Sequence, residues 1–412
     1  MTEESVAGRE TGRILPKLKV IGPALLLAAV VIGPGSIALA TIAGSTYGYQ
    51  LLWVPVAAIG FMIVYTWMAA RIGLVTGRTL FGATRQKFGP TMARLGGIAG
   101  FLTILAFQAG NNAGIGFATE ALLGLDVRLW AGVFTALAIG FIWLSELYAK
   151  IEWLVRVVVG IMLLAFVGTL VIVGFDPGEA ARGLVPTFPD VDGVFLSLGI
   201  AATTFSIAAA VYISHLMREK EWGPERLRSQ ALDTFVGLAV LGLISVVIML
   251  TSASVTYGQT GPVFSAEAMA SQLEPIAGAG AFYLFTLGFF FASLSSLVVN
   301  ALIGATLLVD GFGGDPSMGG RQVRLWSTTA MLFGFAVVLV AGESPIELLR
   351  AAQALAVLAF PLLAFLVLSI ARDKDIMGRY ANRPWVTVVG VVGYLVVLGI
   401  VVNYAREVIE FL

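Results

Sequence analysis

Apolar residues fill this chain in runs of about 20 residues, and short polar segments separate one run from the next. An α-helix of that length crosses the hydrocarbon core of a membrane. The pattern therefore predicts about eleven membrane-spanning helices. The predicted spans cover roughly residues 20–46, 50–72, 96–123, 129–149, 151–174, 192–217, 231–256, 278–309, 325–342, 345–371 and 385–405.

The first run is interrupted by the sequence Gly33-Pro34-Gly35-Ser36. Proline lacks a backbone donor and clashes with the preceding helical turn, and glycine loosens the helix further. Hydrocarbon cannot hydrogen-bond the freed backbone groups, so such a break survives only where protein buries it or where it lines a polar cavity. We therefore predict a binding site at residues 33–36.

A subtler interruption lies in the sixth run, where Thr203, Thr204 and Ser206 stand among alanines. Hydroxyl side chains bond local carbonyls and bend helices, but no proline or glycine forces a break here. One interpretation is a small-residue packing face between helices. The other is a second broken helix. Its position favours the second, because paired breaks five helices apart are typical of transporters built from two inverted repeats.

The composition agrees with an integral membrane protein. Of 412 residues, 58% are hydrophobic and only 12% are charged, and the mean hydropathy is +0.93. The polar opening of the chain does not resemble a removable signal peptide, so we expect the first span to be retained. We expect a multi-pass protein of a cell inner membrane or plasma membrane.

Charge and residue usage exclude several function classes. The formal net charge is zero, so we expect no nucleic-acid partner. The chain has no cysteine and one histidine, which excludes disulfides and thiolate metal ligands and disfavours ordinary metal catalysis. It has no phosphate-binding glycine loop, so an ATP-driven pump has no support. We expect no enzyme and no cofactor, and the oligomeric state stays open.

Basic residues set the expected orientation, because cytoplasmic loops carry an excess of lysine and arginine. An N-terminus in the cytoplasm puts all but four of the 25 basic residues on the cytoplasmic side. The four on the other side are Arg128, Arg182, Arg350 and Arg406. An odd number of spans then places the C-terminus outside.

Several segments, taken in order, resemble the NRAMP family of divalent-metal transporters. The similar stretches are residues 21–23, 33–36, 43–53, 70–80, 292–296, 310–312, 347–349 with 353, 360–361 and 377–378. The resemblance covers nearly the whole chain and implies an all-α polytopic protein with a LeuT-type fold. That fold has two inverted five-helix repeats, here about residues 20–174 and 192–371, an extra helix at about 385–405, and broken helices 1 and 6, all in a single transmembrane domain over residues 1–412.

The resemblance also implies a substrate site at the two breaks and on helix 10, formed by Gly33, Ser36, Thr203, Ser206 and Gln353. The family's metal ligands are missing from it. In the family signature Asp-Pro-Gly-Asn, Gly33 takes the Asp position and Ser36 the Asn position, while Ser206 takes the position of the family's methionine. No metal ligand is certain in this chain.

A helix 3 polar cluster, Gln108, Asn111 and Asn112, raises a similar question. The family's acidic pair Asp-x-x-Glu, which serves its proton route, falls on Gln108 and Asn111, although Gly114 and Gly116 allow a second register. Both carboxylates are then amides. The cluster either hydrogen-bonds neighbouring helices or lines the path of a polar solute.

The neutral site leaves three functions open. The first is transport of a divalent cation such as magnesium. Magnesium gives up water reluctantly, so such a site would bind it through its water shell. A small organic or anionic solute is the second, since helix N-termini attract anions and no acidic residue repels them. A sensor or scaffold that kept the fold and lost transport is the third. We expect weak or no proton coupling, and we expect His215 and Asp310 to lie at the membrane interface.

Overall fold

The computed structural model describes residues 32–258, 265–341 and 345–411, and within those ranges the chain forms helices and connecting turns without a strand. The first half of predicted span 1, with the residue 21–23 segment and the first four cytoplasmic basic residues, lies outside the described residues. The all-α prediction is confirmed.

The helices are numbered here in chain order. They are α1 (Pro34–Tyr47), α2 (Trp53–Thr76), α3 (Leu80–Leu123), α4 (Val127–Trp143), α5 (Ser145–Val173), α6 (Pro177–Arg182), α7 (Val191–Thr204), α8 (Ile207–Glu219), α9 (Leu227–Thr256), α10 (Ala266–Ser271), α11 (Glu274–Ala277), α12 (Ala281–Gly311), α13 (Arg321–Ala341), α14 (Pro345–Ala356), α15 (Phe360–Ala371), α16 (Lys374–Met377) and α17 (Pro384–Phe411). Single 3₁₀ turns lie at Pro224–Arg226, Gly278–Gly280, Val357–Ala359 and Gly378–Tyr380.

The described helices account for the predicted spans in order. Eight segments are long and apolar enough to cross a membrane, and Val127–Trp143 and Pro384–Val396 are shorter apolar helices. With α1, they reproduce the eleven predicted spans. One boundary moves: the turn between spans 4 and 5 lies at Leu144, not near residue 150, because the polar stretch after Leu144 forms the first turns of α5.

Two features of the helices differ from the sequence prediction. Helix α3 begins at Leu80, well before predicted span 3, and bends at Gly89, whose φ of 85° favours glycine, just ahead of Pro90. Predicted span 10 is also not continuous, since the 3₁₀ turn Val357–Ala359 separates α14 from α15. The proline that follows, Pro361, cannot donate to the preceding turn and is the sequence signal for that break.

Close glycine contacts hold the bundle around α1. A Cβ added to Gly97 of α3 would lie 2.9 Å from the Cα of Gly311 in α12, so these two long helices touch backbone to backbone. A Cβ on Gly44 of α1 would lie 2.3 Å from the Met249 carbonyl oxygen in α9. Ser252 of α9 also donates to the carbonyl of residue 41 at 2.7 Å. These contacts fix α1 against its neighbours and so fix its first turn inside the protein.

Polar contacts tie the loops together at each end of the bundle. At one end, Tyr47 donates to Asp190 at 2.6 Å, and this hydrogen bond holds the pKa of Asp190 below its ordinary value. At the opposite end, Lys87 pairs with Asp373 and donates to the Ser369 carbonyl at 3.1 Å. The first end is the predicted outer end and the second is the predicted cytoplasmic end.

Candidate functional site

A small polar cavity lies where the two interrupted helices meet. Its volume is about 20 Å³, which is room for roughly one water molecule. The cavity is lined by Gly33, Gly35, Ser36, Phe107, Asn111, Thr203, Ser206, Asn300 and Gln353. All five residues predicted for the substrate site are therefore brought together, with Asn111 of the helix 3 polar cluster beside them. Their role in binding stays a prediction.

The first break supplies one wall through its glycines. Gly33 is the N-cap of α1 and has ordinary extended dihedrals, φ −108° and ψ −177°, with no side-chain cap. Gly35, in the first turn of the helix, faces the opposite wall. A Cβ there would lie 2.6 Å from Gln353 Nε2 and 3.0 Å from Thr203 Cγ2. A side chain at residue 35 would displace the Gln353 amide, so glycine here lets that amide pack against α1.

The second break supplies another wall although it contains no proline or glycine. Helix α7 ends at Thr204 and α8 begins at Ile207, which leaves Phe205 and Ser206 outside both helices. Thr203 donates its hydroxyl proton to the Ile200 carbonyl at 3.0 Å, so only its oxygen lone pairs are available to a ligand. Ser206 caps α8 without using its side chain in a cap bond. The sixth run is thus a broken helix, not a continuous packing face.

Gln353 on α14 closes the cavity, and its side chain is not satisfied by the protein. It is only 3% exposed, and its Oε1 has no hydrogen-bond partner. A buried unpaired acceptor costs about 1–3 kcal/mol, so native proteins rarely keep one without use. Gln353 Oε1 is accordingly a strong candidate for direct contact with the cargo.

The helix 3 polar cluster splits into two roles. Asn112 donates to the Gln108 carbonyl at 2.9 Å and accepts from the Thr135 hydroxyl. Gln108 donates to the Leu297 carbonyl of α12 at 2.8 Å. Both side chains therefore join helices, whereas Asn111 lines the cavity. The sequence could not separate the roles of these three residues, because it does not show which helix or cavity each face of α3 meets.

The cavity lining is electrically neutral, since none of its nine residues ionises. Within the part of the chain that the structure describes, no group of three or more histidine, aspartate and glutamate side chains is placed to hold a metal ion. The remaining electrostatics come from helix ends. The N-termini of α1 and α8 and the C-terminus of α7 meet at the cavity, and a helix N-terminus carries about +0.5 of a charge.

Ionisable residues are concentrated nearer the predicted cytoplasmic end. His215 Nε2 of α8 lies 2.9 Å from Asp310 Oδ2 of α12, and both side chains are buried. Arg85 donates to the Asp310 carbonyl at 2.6 Å. Both side chains are thus enclosed by the protein, and their expected position at the membrane interface stays a prediction. Their position at helix ends in the sequence did not reveal that α8 and α12 cover them.

Two residues, one in the lining and one packed behind it, were not predicted from the sequence. Phe107 lines the cavity but is indistinguishable in the sequence from other apolar residues of α3. Ser296 of α12 packs against Gly33, where an added Cβ would meet its Oγ at 2.8 Å. A signal for α12 was present, because Ser293, Ser296 and Asn300 follow helical spacing along an otherwise apolar helix.

Comparisons with known proteins identify the family and the fold. Residues 24–405 match the family model described as Nramp, natural resistance-associated macrophage protein-like. The protein named divalent metal cation transporter MntH from Chromohalobacter salexigens is 30% identical over 391 residues, which is 90% of this chain and 87% of the relative. A crystal structure of the Eremococcus coleocola manganese transporter, determined for a histidine-to-alanine mutant, superposes with a TM-score of 0.77 at 18% identity, covering 96% of this chain and 88% of the other.

A more distant structure extends the fold assignment. Mhp1, a nucleobase-cation-symport-1 family transporter, matches with a TM-score of 0.58 at 16% identity, over 95% of this chain and 92% of its own. The predicted LeuT-type fold is confirmed by these likenesses. The relatives are named as transporters, and the prediction that the chain is not an enzyme is also confirmed. With the family model matching almost its whole length, the chain belongs to the Nramp family.

Proposed function

We propose that this protein is a secondary transporter that works by alternating access and carries a divalent cation through the cavity between the two breaks. In this proposal, the bundle containing α1, α7 and α8 rocks against the rest of the protein around the cavity. The two inverted repeats at about residues 20–174 and 192–371 supply the two halves of that motion. Coupling to protons is weak or absent.

The observation that carries this proposal is the convergence of Gly33, Ser36, Thr203, Ser206 and Gln353 on one cavity. These residues come from the two broken helices and from α14, which are far apart in sequence. Broken helices at mid-membrane that face one polar cavity are the usual substrate site of inverted-repeat transporters. Relatives of the chain named as divalent metal cation transporters support the cargo class.

The neutral lining favours a cation that keeps part of its water. A bare divalent ion in a low-dielectric cavity needs compensating carboxylates, and the lining has none. Magnesium holds its water tightly and can be bound through it by neutral oxygens. A cavity of about 20 Å³ is too small for a hydrated ion. In the proposal, cargo is therefore loaded in a wider conformation, and the present one is closed around the site.

Weak proton coupling follows from the same residues. The acid–base groups that the family resemblance implies on helix 3 are amides here, at Gln108 and Asn111. An amide neither gains nor loses a proton in the working pH range. The buried ionisable pair of His215 with Asp310 does not line the cavity. The lining therefore contains no acid that could release a proton when a cation enters the cavity.

A second candidate cargo is a small anionic or organic solute. The observation that favours it is the pair of helix N-termini, those of α1 and α8, at the cavity. Backbone N–H groups and the positive dipole end stabilise an anion by about 0.3–1 kcal/mol per helix. The lining contains no carboxylate to repel such a group. This cargo would require the cavity to widen more than a partly hydrated ion does.

A counterflow screen in proteoliposomes separates the two cargoes. Magnesium, manganese, amino acids and small carboxylates would each be loaded inside and tested for exchange. We expect exchange with divalent cations, lost in Gln353→Leu and retained in Gln230→Leu. Gln230 is a matched control, because it is also buried with an unpaired Oε1 but does not line the cavity. Exchange with a carboxylate and with no divalent cation would reject the cation proposal.

We also propose that the N-terminus is cytoplasmic and the C-terminus external. The chain has no cysteine, so one introduced cysteine is a unique label site. Arg182→Cys, in the exposed helix α6, should react with an impermeant maleimide added to intact cells. Asp375→Cys, at the opposite end of the bundle, should react only after the membrane is opened. The reverse pattern would overturn the orientation.

A further inference from the structure

The absence of a side chain at residue 33 has a packing cause that lies on a different helix. Gly33 has an extended backbone that any residue adopts, so its dihedrals do not call for glycine. The space beside it is filled instead. An added Cβ would lie 2.8 Å from Ser296 Oγ and 3.3 Å from Ser296 Cβ. Any side chain at 33 therefore requires Ser296 to move.

Ser296 belongs to a stripe of small polar residues on α12 that faces the first break. It is 1% exposed. Three residues earlier, Ser293 packs at Gly114, where an added Cβ would meet Ser293 Oγ at 2.7 Å and Pro34 Cβ at 2.8 Å. One turn later, Asn300 lines the cavity. Helix α12 thus forms a wall beside α1, although the sequence placed the site on spans 1, 3, 6 and 10.

The neighbouring oxygen on α3 is held in a defined orientation. Asn111 Nδ2 donates to Gln108 Oε1 at 2.9 Å, and Gln108 Nε2 donates to the Leu297 carbonyl of α12 at 2.8 Å. Because the Asn111 amide nitrogen is used in this chain of bonds, its carbonyl oxygen is directed toward the break. That oxygen would lie 3.8 Å from a Cβ on Gly33.

Resting on the proposed function, we propose that Ser296 is a specificity-determining residue of the cargo site. Its hydroxyl occupies the space beside residue 33, where the family signature carries a carboxylate. It thereby keeps residue 33 without a side chain, and the oxygen that faces the cavity beside this residue is the neutral Asn111 carbonyl. The site consequently discriminates against a dehydrated transition-metal ion, which needs the negative charge, and accepts a cation that retains water.

The test is a pair of compensating substitutions. Gly33→Asp, Ser296→Gly and the double variant would be purified in detergent, and Mn²⁺ binding would be measured by calorimetry beside the thermal unfolding temperature. We expect Gly33→Asp to unfold at a lower temperature than wild type and to gain little Mn²⁺ affinity. The double variant should recover the unfolding temperature and bind Mn²⁺ at least about tenfold more tightly than wild type, since a carboxylate then faces the ion.

A matched control is Ser293→Gly in the Gly33→Asp background. It also places a glycine in α12, at equal propensity cost, but it empties space beside Gly114 instead of Gly33. This control should restore neither property. If Gly33→Asp cannot be purified, Gly33→Ala with and without Ser296→Gly makes the same steric test through the unfolding temperature.

Two results would overturn the role of Ser296. One is a Gly33→Asp variant that, alone, is as stable as wild type and binds Mn²⁺ as tightly as the double variant. The other is rescue by Ser293→Gly equal to rescue by Ser296→Gly. Failure of the proposed function is distinguishable: a wild-type protein that carries no divalent cation, beside a double variant that binds Mn²⁺, supports the role of Ser296 and counts against the proposed cargo alone.

Discussion

The central cavity and the predicted cytoplasmic end of this protein differ in charge. The cavity is lined by nine residues and none of them is charged. Nearer the end of the bundle, His215 pairs with Asp310, Lys87 pairs with Asp373, and Arg85 caps the carbonyl of residue 310. Charge therefore joins helices where they meet the loops, and it is absent from the cavity lining. A neutral cavity is thus compatible with charged contacts elsewhere in the same bundle.

The largest effect should come from breaking the buried carboxylate–imidazole pair. Asp310→Ala leaves His215 buried without its partner, and this loss costs up to about 3–5 kcal/mol where the imidazole is protonated. We expect a marked fall in the thermal unfolding temperature in detergent. Glu179→Ala breaks the exposed pair with Arg182 and should cost at most about 1 kcal/mol. Equal unfolding temperatures for the two variants would show that burial of the His215–Asp310 pair adds nothing to stability.

A smaller loss of stability is expected at Gln108. Gln108→Leu removes the side-chain donor to the Leu297 carbonyl and leaves the Asn111 amide without its acceptor. Each unsatisfied buried group costs about 1–3 kcal/mol. Thermal unfolding measures the loss, and Gln108→Glu is informative beside it because a carboxylate accepts from Asn111 but does not donate to Leu297. Wild-type stability in Gln108→Leu would show that these bonds do not hold α3 to α12.

Substitution of Gln353 should weaken cargo binding without lowering stability. Gln353→Leu removes an acceptor that has no partner in the protein, so stability should stay equal or rise slightly. Loss of a cargo contact should weaken binding about tenfold, which corresponds to about 1.4 kcal/mol. Calorimetric titration with Mg²⁺ and a thermal scan of the same sample measure both. A variant that loses stability and keeps its affinity would make Gln353 a structural residue.

The smallest effect is a pH dependence at the loop end. The hydrogen bond from Lys87 holds the pKa of Asp373 below its ordinary value of about 3.9. The pair therefore contributes stability above that value and loses it as the pH falls through the folded-state pKa. Asp373→Asn should lower stability by less than about 1 kcal/mol near neutral pH. It should also flatten the acid side of the unfolding profile, and an unchanged acid profile would contradict this.

Much of the fold was predictable from the sequence, because hydrophobic length and the Gly33-Pro34 break are local signals. The meeting of Gly33, Ser36, Thr203, Ser206 and Gln353 at one cavity was predictable from the family resemblance, and their role in binding stays a prediction. Two features were not. The burial of His215 and the contact between Ser296 and Gly33 depend on which helix packs against which, and the residue pattern of one helix does not encode its neighbour. The interruption after α14 was signalled only by Pro361.

The central claim is that a neutral site carries a divalent cation without obligatory proton movement. Its most direct test is uptake of Mg²⁺ and Mn²⁺ into proteoliposomes that contain a pH-sensitive dye. The account predicts saturable Mg²⁺ uptake that Gln353→Leu reduces, with little change of internal pH. Robust acidification driven by Mn²⁺ would contradict it.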